Sequence, residues 1–597
     1  MRKALQTEWL LLVLVGVVAL GWCMAQGKLT AEDWGYPTTY LEPVYADFIG
    51  WCRGPMAVAA GEYVPYAWNP GVAVDDLLTG LFGMLVCLFG LFPGWNLGVL
   101  VGHLAASVTF FLVARRGFGI ATPWAFVGGL AFGLAPYQFA QQPHHINCQY
   151  IWHLPFFPLV WKWIATGTDL RFGSRRFWQA AAIGFVTGLQ NPYFSNVFCQ
   201  LVLVCGAVRA WQVQAWPALK PAVLVVATVM LAFLVSTGDT IAHRFWPRPA
   251  VAAAGSGGSP LVAEREYKWM DIYGLKLVDL FIPPVTHHSK ELALFGRNHR
   301  AASILSDEEG SGYLGLLGIG CLLFLVGVAV RAMVEGRAED VPLEAWWGLW
   351  IVVMFTTGGF NAIIAAFTGF TLFRTAIRYS VVLLLLALLY VGQRLTAWKV
   401  SASERLTTGL VRGVTVAATL LGSALVLWDQ LPRTPTAEQR AAIAEAVDSD
   451  RAFVAAMEAA LPLAADGSKP MVFQLPVLGG PGRPKIPSSH HVRPYLYSHN
   501  LHYSSGAGGD ALRWQREVER QLFRGAQRGD QQQATVLYEA NVRQAIAMLR
   551  QRGFAAIYVN RAGYDDRAAG LEAMLRQLGL TGIIESDRGD LLCVPLE

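Results

Sequence analysis

Two arginines, Arg374 and Arg378, stand four residues apart at the head of LFRTAIRYSVVLLLLALLYVGQRL, an apolar run long enough to cross a bilayer. On a helix that spacing puts both guanidinium groups on one face. A helix N-terminus favours an anion through its dipole, and the guanidinium fork fits phosphate oxygens better than an ammonium does. The chemistry this pair suits is the holding of a lipid phosphate or pyrophosphate at a membrane surface. The competing reading is that both side chains snorkel to headgroups.

A phosphate-bearing lipid would need reactive partners, and carboxylates are concentrated in one place. The segment 27–94 contains Glu32, Asp33, Glu42, Asp47, Glu62, Asp75 and Asp76, against Lys28 and Arg53 as its only cations. A carboxylate serves as a general base for a hydroxyl or as a ligand for a divalent cation such as Mg or Mn. Asp47 lies in the aromatic, otherwise uncharged context YADFIGW, where desolvation would raise its basicity. Tyr40, Tyr45, Trp51 and Trp68 are placed to stack on a sugar. A solvated acidic loop explains any single one of these acids equally well.

Two histidine doublets, His144–His145 and His287–His288, suit phosphate or sugar contact or interfacial hydrogen bonding. Adjacent histidines on a helix do not share a face, so neither doublet has metal-ligand spacing. QNPYF, residues 190–194, breaks an apolar pattern with Asn-Pro; such a break lines a polar cavity or makes a turn between two spans.

The elements that position these residues follow from composition. The chain has 597 residues, 54% hydrophobic and 15% charged, with mean hydropathy +0.38. That is too apolar for a soluble multidomain protein and marks a polytopic α-helical membrane protein. Apolar runs begin near residues 9, 95, 122, 149, 178, 196, 219, 312, 345, 378 and 408, which gives eleven expected spans. The Gly-rich stretch 77–93 reads as interfacial or re-entrant. Lys and Arg are crowded into alternate loops, for example Arg115–Arg116, Arg171–Arg176, Arg331–Arg337 and Arg394–Arg405. The positive-inside rule puts those loops in the cytoplasm together with Arg2 and Lys3. The segments 27–75, 140–148, 191–195 and 359–377 are then outside, as is a large loop 238–311. The net charge of +5 comes largely from the inner-loop cations and does not point to nucleic acid.

Residues 1–432 form the membrane domain on this reading, and 433–597 a soluble extracytoplasmic domain. Its helical AEQRAAIAEAVDSDRAFVAAMEAAL, strand-like MVFQLPV and NVRQAIAMLRQRG leading into FAAIYV predict an α/β fold. His499, His502, Tyr495, Tyr497 and Arg513 have a composition compatible with carbohydrate contact or with an ordinary surface loop. Eight cysteines without a C-x-x-C pair argue against a zinc or redox framework; Cys52 and Cys148 either pair outside or remain free thiols. The first apolar segment reads as a retained anchor, because CMAQG lacks a convincing A-x-A cleavage site.

GYPTTYLEPVYADF, NPGVAVDDLL, PYQFAQQPHHINCQYIWHLPFFPL, GLQNPYF, YGLKLVDLFIPPVTHH, FRTAIRYSV and YLYSHNLHYSSGA together resemble the GT-C superfold of polyprenyl-phosphate-sugar-dependent glycosyltransferases. They are more closely similar to a group of bacterial membrane proteins placed beside that superfold. The resemblance implies a bacterial inner-membrane enzyme with a catalytic or metal-binding aspartate at Asp47 and donor-phosphate contacts at Arg374 and Arg378. Asp33, Glu42, Asp75, Asp76, His144, His145, His287 and His288 are further substrate or metal candidates. The implied reaction is inverting transfer of a sugar from a polyprenyl-phosphate donor to a glycan, lipid or protein acceptor. No acidic doublet stands at Asp47, unlike the protein mannosyltransferases, so the acceptor class stays open. The alternative is a lipid-linked glycan transporter or a non-catalytic envelope-assembly protein. Broken helices in both halves and intramembrane ionisable groups would mark a transporter, and His103 and His153 are the candidates.

Overall fold

In the computed structural model the described residues are 12, 13, 15–18, 20, 21, 85, 88–141, 146–168, 170–245, 267–303, 305, 312–433, 436–465, 467–477, 486, 488–491, 493–504, 509–523 and 531–596. The N-terminal three-quarters is helical: α1 (Leu91–Arg116), α2 (Thr122–Gly133), α3 (Pro136–Ala140), α4 (Phe156–Ala165), α5 (Arg175–Gly188), α6 (Pro192–Gln212), α7 (Lys220–Phe245), α8 (Gly315–Val334), α9 (Leu343–Phe355), α10 (Phe360–Thr368), α11 (Ser380–Arg405) and α12 (Thr408–Gln430). Among the described residues six helical stretches are long and apolar enough to cross a membrane: Phe92–Arg116, Pro192–Gln212, Trp216–Val235, Gly315–Val334, Ala376–Arg405 and Thr408–Gln430.

Four of the eleven expected spans take a different form. The runs near 122, 149, 178 and 345 give α2, α4, α5 and α9, of 12, 10, 14 and 13 residues. At 1.5 Å per residue these are about 15–21 Å long, well short of a hydrocarbon core of about 30 Å. The run near residue 9 lies mostly outside the described residues. The physical reason is local: Leu134-Ala135 and then Pro136 separate α2 from α3, Asn191-Pro192 separates α5 from α6, and Gly358-Gly359 separates α9 from α10. Periodicity counted apolar residues across these breaks.

Burial ranks the long helices. In its most apolar stretch the Ala376–Arg405 segment is 89% buried, whereas the corresponding figures are 22% for α8 and 17% for α12. The segment that carries Arg378 is therefore the central post, and α8 and α12 present Leu323, Phe324, Val330, Leu420 and Leu421 outward, as lipid-facing helices do.

A helix that stops inside an apolar bundle leaves its last carbonyls without partners unless side chains supply donors. At the end of α2 three buried side chains do this. His103 Nδ1 donates to Gly133 O at 2.6 Å, Gln138 Nε2 to the same oxygen at 2.7 Å and to Phe132 O at 3.3 Å. The Gln430 amide lies 3.1 and 3.2 Å from Ala131 O and Leu134 O, and with its nitrogen turned towards them it donates to both. His103, read from sequence as an intramembrane ionisable candidate, here caps a helix. Helices α1 and α2 approach closely enough for this because glycines face the partner: a Cβ on Gly128 would meet Phe110, and one on Gly133 would overlap Ser107 Oγ.

After Gln430 the chain enters the α/β domain. Helix α13 (Ala437–Ala460) opens with a capping box, Thr436 Oγ1 accepting from Gln439 N while the Gln439 side chain accepts from Thr436 N. Five strands follow, β1 (Met471–Leu475), β2 (His502–Tyr503), β3 (Phe554–Asn560), β4 (Ile584–Glu585) and β5 (Leu591–Pro595), in the order β2-β1-β3-β5-β4. The first three are parallel, and β5 runs antiparallel to β3 and β4. Alternation along the strands sorts the two faces. Phe473, Leu475, Ile557 and Val559 pack on α14 (Gly509–Phe523), α15 (Gln531–Gln551) and α16 (Ala569–Gln577). Val472, Tyr558, Leu591 and Cys593 face Val447, Phe453 and Met457 of α13. The helix, strand, helix and strand expected at MVFQLPV and FAAIYV form as the pattern predicts.

On the α13 face, Arg493 forms a two-pronged ion pair with Asp450, with Nε to Oδ2 at 2.7 Å, and reaches Asp590 Oδ2 at 3.3 Å. Beside it His491 Nε2 donates to Pro476 O at 2.6 Å. Burial pushes His490 and His491 down to about 4.

Two outcomes follow from this packing. Gly133→Ala forces its methyl into Ser107 and is expected to destabilise the α1–α2 pair by about 1–3 kcal/mol. Gly320→Ala on α8, where an added Cβ meets nothing, should be silent; equal melting of the two purified variants contradicts this packing. The second outcome concerns acid. The folded domain holds both imidazoles neutral, whereas the unfolded chain titrates near the ordinary 6.5, so the unfolded state binds more protons as pH falls from 6.5 to about 4. The stabilisation is complete above pH 6.5 and is lost through that window, by up to about 3 kcal/mol for the fully buried His491. Hydrogen exchange of β1 and β3 measured from pH 7 to pH 4 should show it; flat protection contradicts it.

Candidate functional site

Arg374 and Arg378 occupy the end of the bundle where three separate segments meet. Helix α10 stops at Thr368, Gly369 turns left-handed at φ 70°, and an irregular approach leads to the short 3-10 turn Ala376–Tyr379 and then α11. Arg378 lies in that turn, only 7% exposed. Arg374 lies before it, outside any helix. The expectation that both ride one helical face is therefore corrected: helical backbone begins at Ala376, because the left-handed glycine and the irregular 370–375 segment delay it.

Tyr193, the fourth residue of QNPYF, ties the two arginines together. Its ring sits beneath the Arg378 guanidinium, 4.9 Å from ring centre to Cζ, a cation–π contact that strengthens with desolvation. Its hydroxyl donates to Leu372 O at 3.2 Å and accepts from Thr375 N at 3.3 Å, which clamps the backbone on both sides of Arg374. Phe373 packs edge-on against the same ring at 5.5 Å. Tyr193 is positioned in turn by Asn191, whose Oδ1 accepts from Tyr193 N at 3.0 Å as the cap of α6.

Cys148 supplies the third wall. Its sulfur accepts from Arg378 Nη1 at 3.0 Å and from Asn191 Nδ2 at 3.1 Å. Behind the turn, Asn196 Nδ2 donates to Tyr379 Oη at 3.1 Å, and the Tyr379 ring lies 4.0 Å from Phe355. Polar atoms without partners accompany this scaffold. Gln190 is 1% exposed, and neither of its amide atoms has a hydrogen-bond partner; Arg374 Nε is likewise buried without one. Orphaned buried donors of this kind call for water or a ligand.

A second polar centre lies where α12 leaves the bundle. Asp429 Oδ1 accepts from His287 Nε2 at 3.2 Å and from Tyr313 Oη at 2.9 Å, and Oδ2 accepts from Leu316 N at 2.7 Å, in the first turn of α8. His287 Nδ1 accepts from Ser289 N at 2.9 Å, so Nε2 carries the proton. Both ring nitrogens are engaged, and the residue pins the 284–289 loop to the exit of α12, where Arg433 N also donates to Thr286 O at 2.8 Å. His288 is exposed, with Trp428 edge-on at 5.7 Å.

Of the residues expected to form the site, Arg374, Arg378, His287 and His288 are placed. Asp33, Glu42, Asp47, Asp75, Asp76, His144 and His145 lie outside the described residues. Among the described residues no three His, Cys, Asp or Glu side chains come together as a metal site. In the tail, His499 is an exposed turn residue whose backbone N–H donates to Glu458 at 2.6 Å, and His502 lies on the edge strand β2. Sequence reasoning missed Cys148 as a partner of Arg378, and Asp429 altogether. The one available signal for Asp429 was a lone acid at the end of an apolar run.

In comparison with known proteins, no family model matches this sequence and no curated protein is significantly similar to it.

The hub role of Tyr193 has a direct test. Tyr193→Phe keeps the ring under Arg378 but releases Leu372 O and Thr375 N, at a cost of about 1–2 kcal/mol. Amide exchange across 369–379 should accelerate in the variant; exchange unchanged from wild type contradicts the clamp.

Proposed function

We propose that this protein is a membrane glycosyltransferase that moves a sugar, with inversion, from a polyprenyl-phosphate donor to an envelope acceptor on the outer face of a bacterial cytoplasmic membrane. The observation that carries the proposal is the mounting of Arg374 and Arg378 by Tyr193 at the head of the central helix. A guanidinium fixed by an aromatic ring and a thiol keeps its forked geometry, which suits the phosphate end of a lipid. The start of α11 adds the positive end of its dipole.

Orientation is part of the proposal. The segments around Cys148, Tyr193 and Thr375 meet at one end of the bundle, and Arg115, Arg175, Arg209, Arg331 and Arg405 lie at helix termini belonging to the other end. With the basic end in the cytoplasm, the arginine site and the domain after Gln430 are extracytoplasmic.

In the reaction, the acceptor hydroxyl gives its proton to the Asp47 carboxylate as its oxygen attacks the anomeric carbon. The bond from that carbon to the phosphate oxygen breaks, and the departing phosphate takes the electron pair. The arginines stabilise the charge growing on the phosphate, which lowers the barrier because the interaction strengthens in the transition state. The aromatic surroundings exclude water that would hydrolyse the donor.

A second reading has its own support. Helices are broken in both halves, α2 from α3 and α9 from α10, the pattern of a carrier whose broken helices line a substrate path. That reading makes the protein a transporter of lipid-linked glycan. Reconstituted protein presented with labelled polyprenyl-phosphate sugars and extracted envelope acceptors separates the two. The enzyme reading expects transfer that falls at least about 100-fold in Arg378→Ala and in Asp47→Asn. Donor binding that needs Arg378, with no transfer by wild type over a broad donor and acceptor panel, moves the assignment to the carrier.

A further inference from the structure

The α/β domain contains a third polar centre, distant in sequence from the arginine pair and from Asp429. It lies at the carboxyl ends of β1 and β3. The chain leaving β1 runs to β2 on one side, past His490, His491 and Arg493; the chain leaving β3 runs through α16, on the opposite face, towards β4 on the other side. Neighbouring parallel strands whose connections depart in opposite directions make a topological switch point, and the crevice outside their carboxyl ends is where open α/β sheets bind ligands.

The side chains at this crevice are unusual for a packed interior. Tyr558, Asn560 and His491 are 0%, 1% and 2% exposed. Tyr558 Oη, Asn560 Nδ2 and His491 Nδ1 all lack hydrogen-bond partners, as do both ring nitrogens of half-buried His490. Tyr558 and Asn560 share the sheet face that looks towards α13, and the His491 ring lies 5.9 Å from that of Tyr558. A buried donor or acceptor left unmade costs about 1–3 kcal/mol, so a cluster of them at a switch point marks a site that a ligand completes.

The charge and hydrogen-bonding character of the cluster select the ligand. Among the described residues Arg493 is shared between Asp450 and Asp590 and Arg588 acts on the same Asp590, so these cations are already balanced by carboxylates and the cluster offers no excess positive charge to a phosphate. The unpartnered atoms mix uncharged donors with uncharged acceptors: Asn560 Nδ2 donates, the His491 Nδ1 lone pair accepts, and the Tyr558 hydroxyl does either. Such a set matches vicinal hydroxyl groups, each of which gives and takes a hydrogen bond. The Asp590 side chain, 23% exposed, and His490 mark where the cluster reaches the surface.

We infer that this crevice is a carbohydrate-binding site that takes one neutral sugar residue, with Tyr558, Asn560 and His491 as its hydrogen-bonding floor and His490 at its mouth. The inference does not depend on glycosyl transfer, but it gives the domain a task that fits the proposed function: holding the acceptor glycan.

The test uses the full-length protein in detergent, with glucose, mannose, N-acetylglucosamine and inorganic phosphate as probes and hydrogen–deuterium exchange as the readout. At least one sugar should slow exchange in peptides covering 488–497 and 554–562, and phosphate should not. Tyr558→Phe removes only an atom without a partner, so its melting should match wild type while it weakens that protection about tenfold in sugar concentration. Arg378→Ala should keep the protection whether or not it abolishes transfer, so the failure of either site is visible on its own. Absence of protection by all three sugars, protection by phosphate alone, or undiminished sugar binding by Tyr558→Phe would each overturn the assignment.

Discussion

Backbone groups inside an apolar bundle have no water to turn to, and this requirement shapes the membrane region more than any pairwise contact. The helix α2 ends after 12 residues, and its last three carbonyls and that of the capping Leu134 take donors from α1, from α3 and from the exit of α12. Those donors, His103, Gln138 and Gln430, are buried polar residues whose chemistry would otherwise look functional. They stabilise the fold because an uncapped carbonyl in hydrocarbon costs several kcal/mol. The same constraint recurs at Asp429, which satisfies an amide in the first turn of α8 while joining His287 and Tyr313.

Short, broken helices have a consequence for the site. They let Cys148, the Asn191-Pro192 break and the irregular approach to α11 reach one level of the bundle. At that level polar side chains face one another rather than lipid. Tyr193 exploits it: one ring supports a guanidinium, and one hydroxyl holds the peptide backbone that carries the other arginine. The rigid part of the site is therefore built from neutral groups, and the arginine charge is kept in a fixed place at the head of the most buried helix.

Much of this was legible in the residue order. The apolar runs, the arginine pair, the QNPYF break and the α/β pattern of the tail are local signals, with periods of 3.6 or 2 residues. What was not legible is contact between distant segments. Arg378 meets Cys148 across 230 positions and His287 meets Asp429 across 142; no spacing rule connects them. The expected helical pairing of Arg374 with Arg378 failed because a left-handed Gly369 and six irregular residues precede the turn, and propensity alone does not locate that start. In the tail, composition singles out His499 and His502, whereas burial gathers His490, His491 and Arg493 around Asp450 and Asp590.

The central claim is that the Tyr193-mounted arginines hold the phosphate of a lipid. A short-chain polyprenyl phosphate carrying a photoreactive group beside the phosphate, irradiated with the protein in lipid nanodiscs, tests it most directly. The account predicts cross-links within 190–194 and 372–379 that unlabelled polyprenyl phosphate displaces. Cross-links confined to the outward faces of α8 and α12, undiminished by competitor, would contradict it.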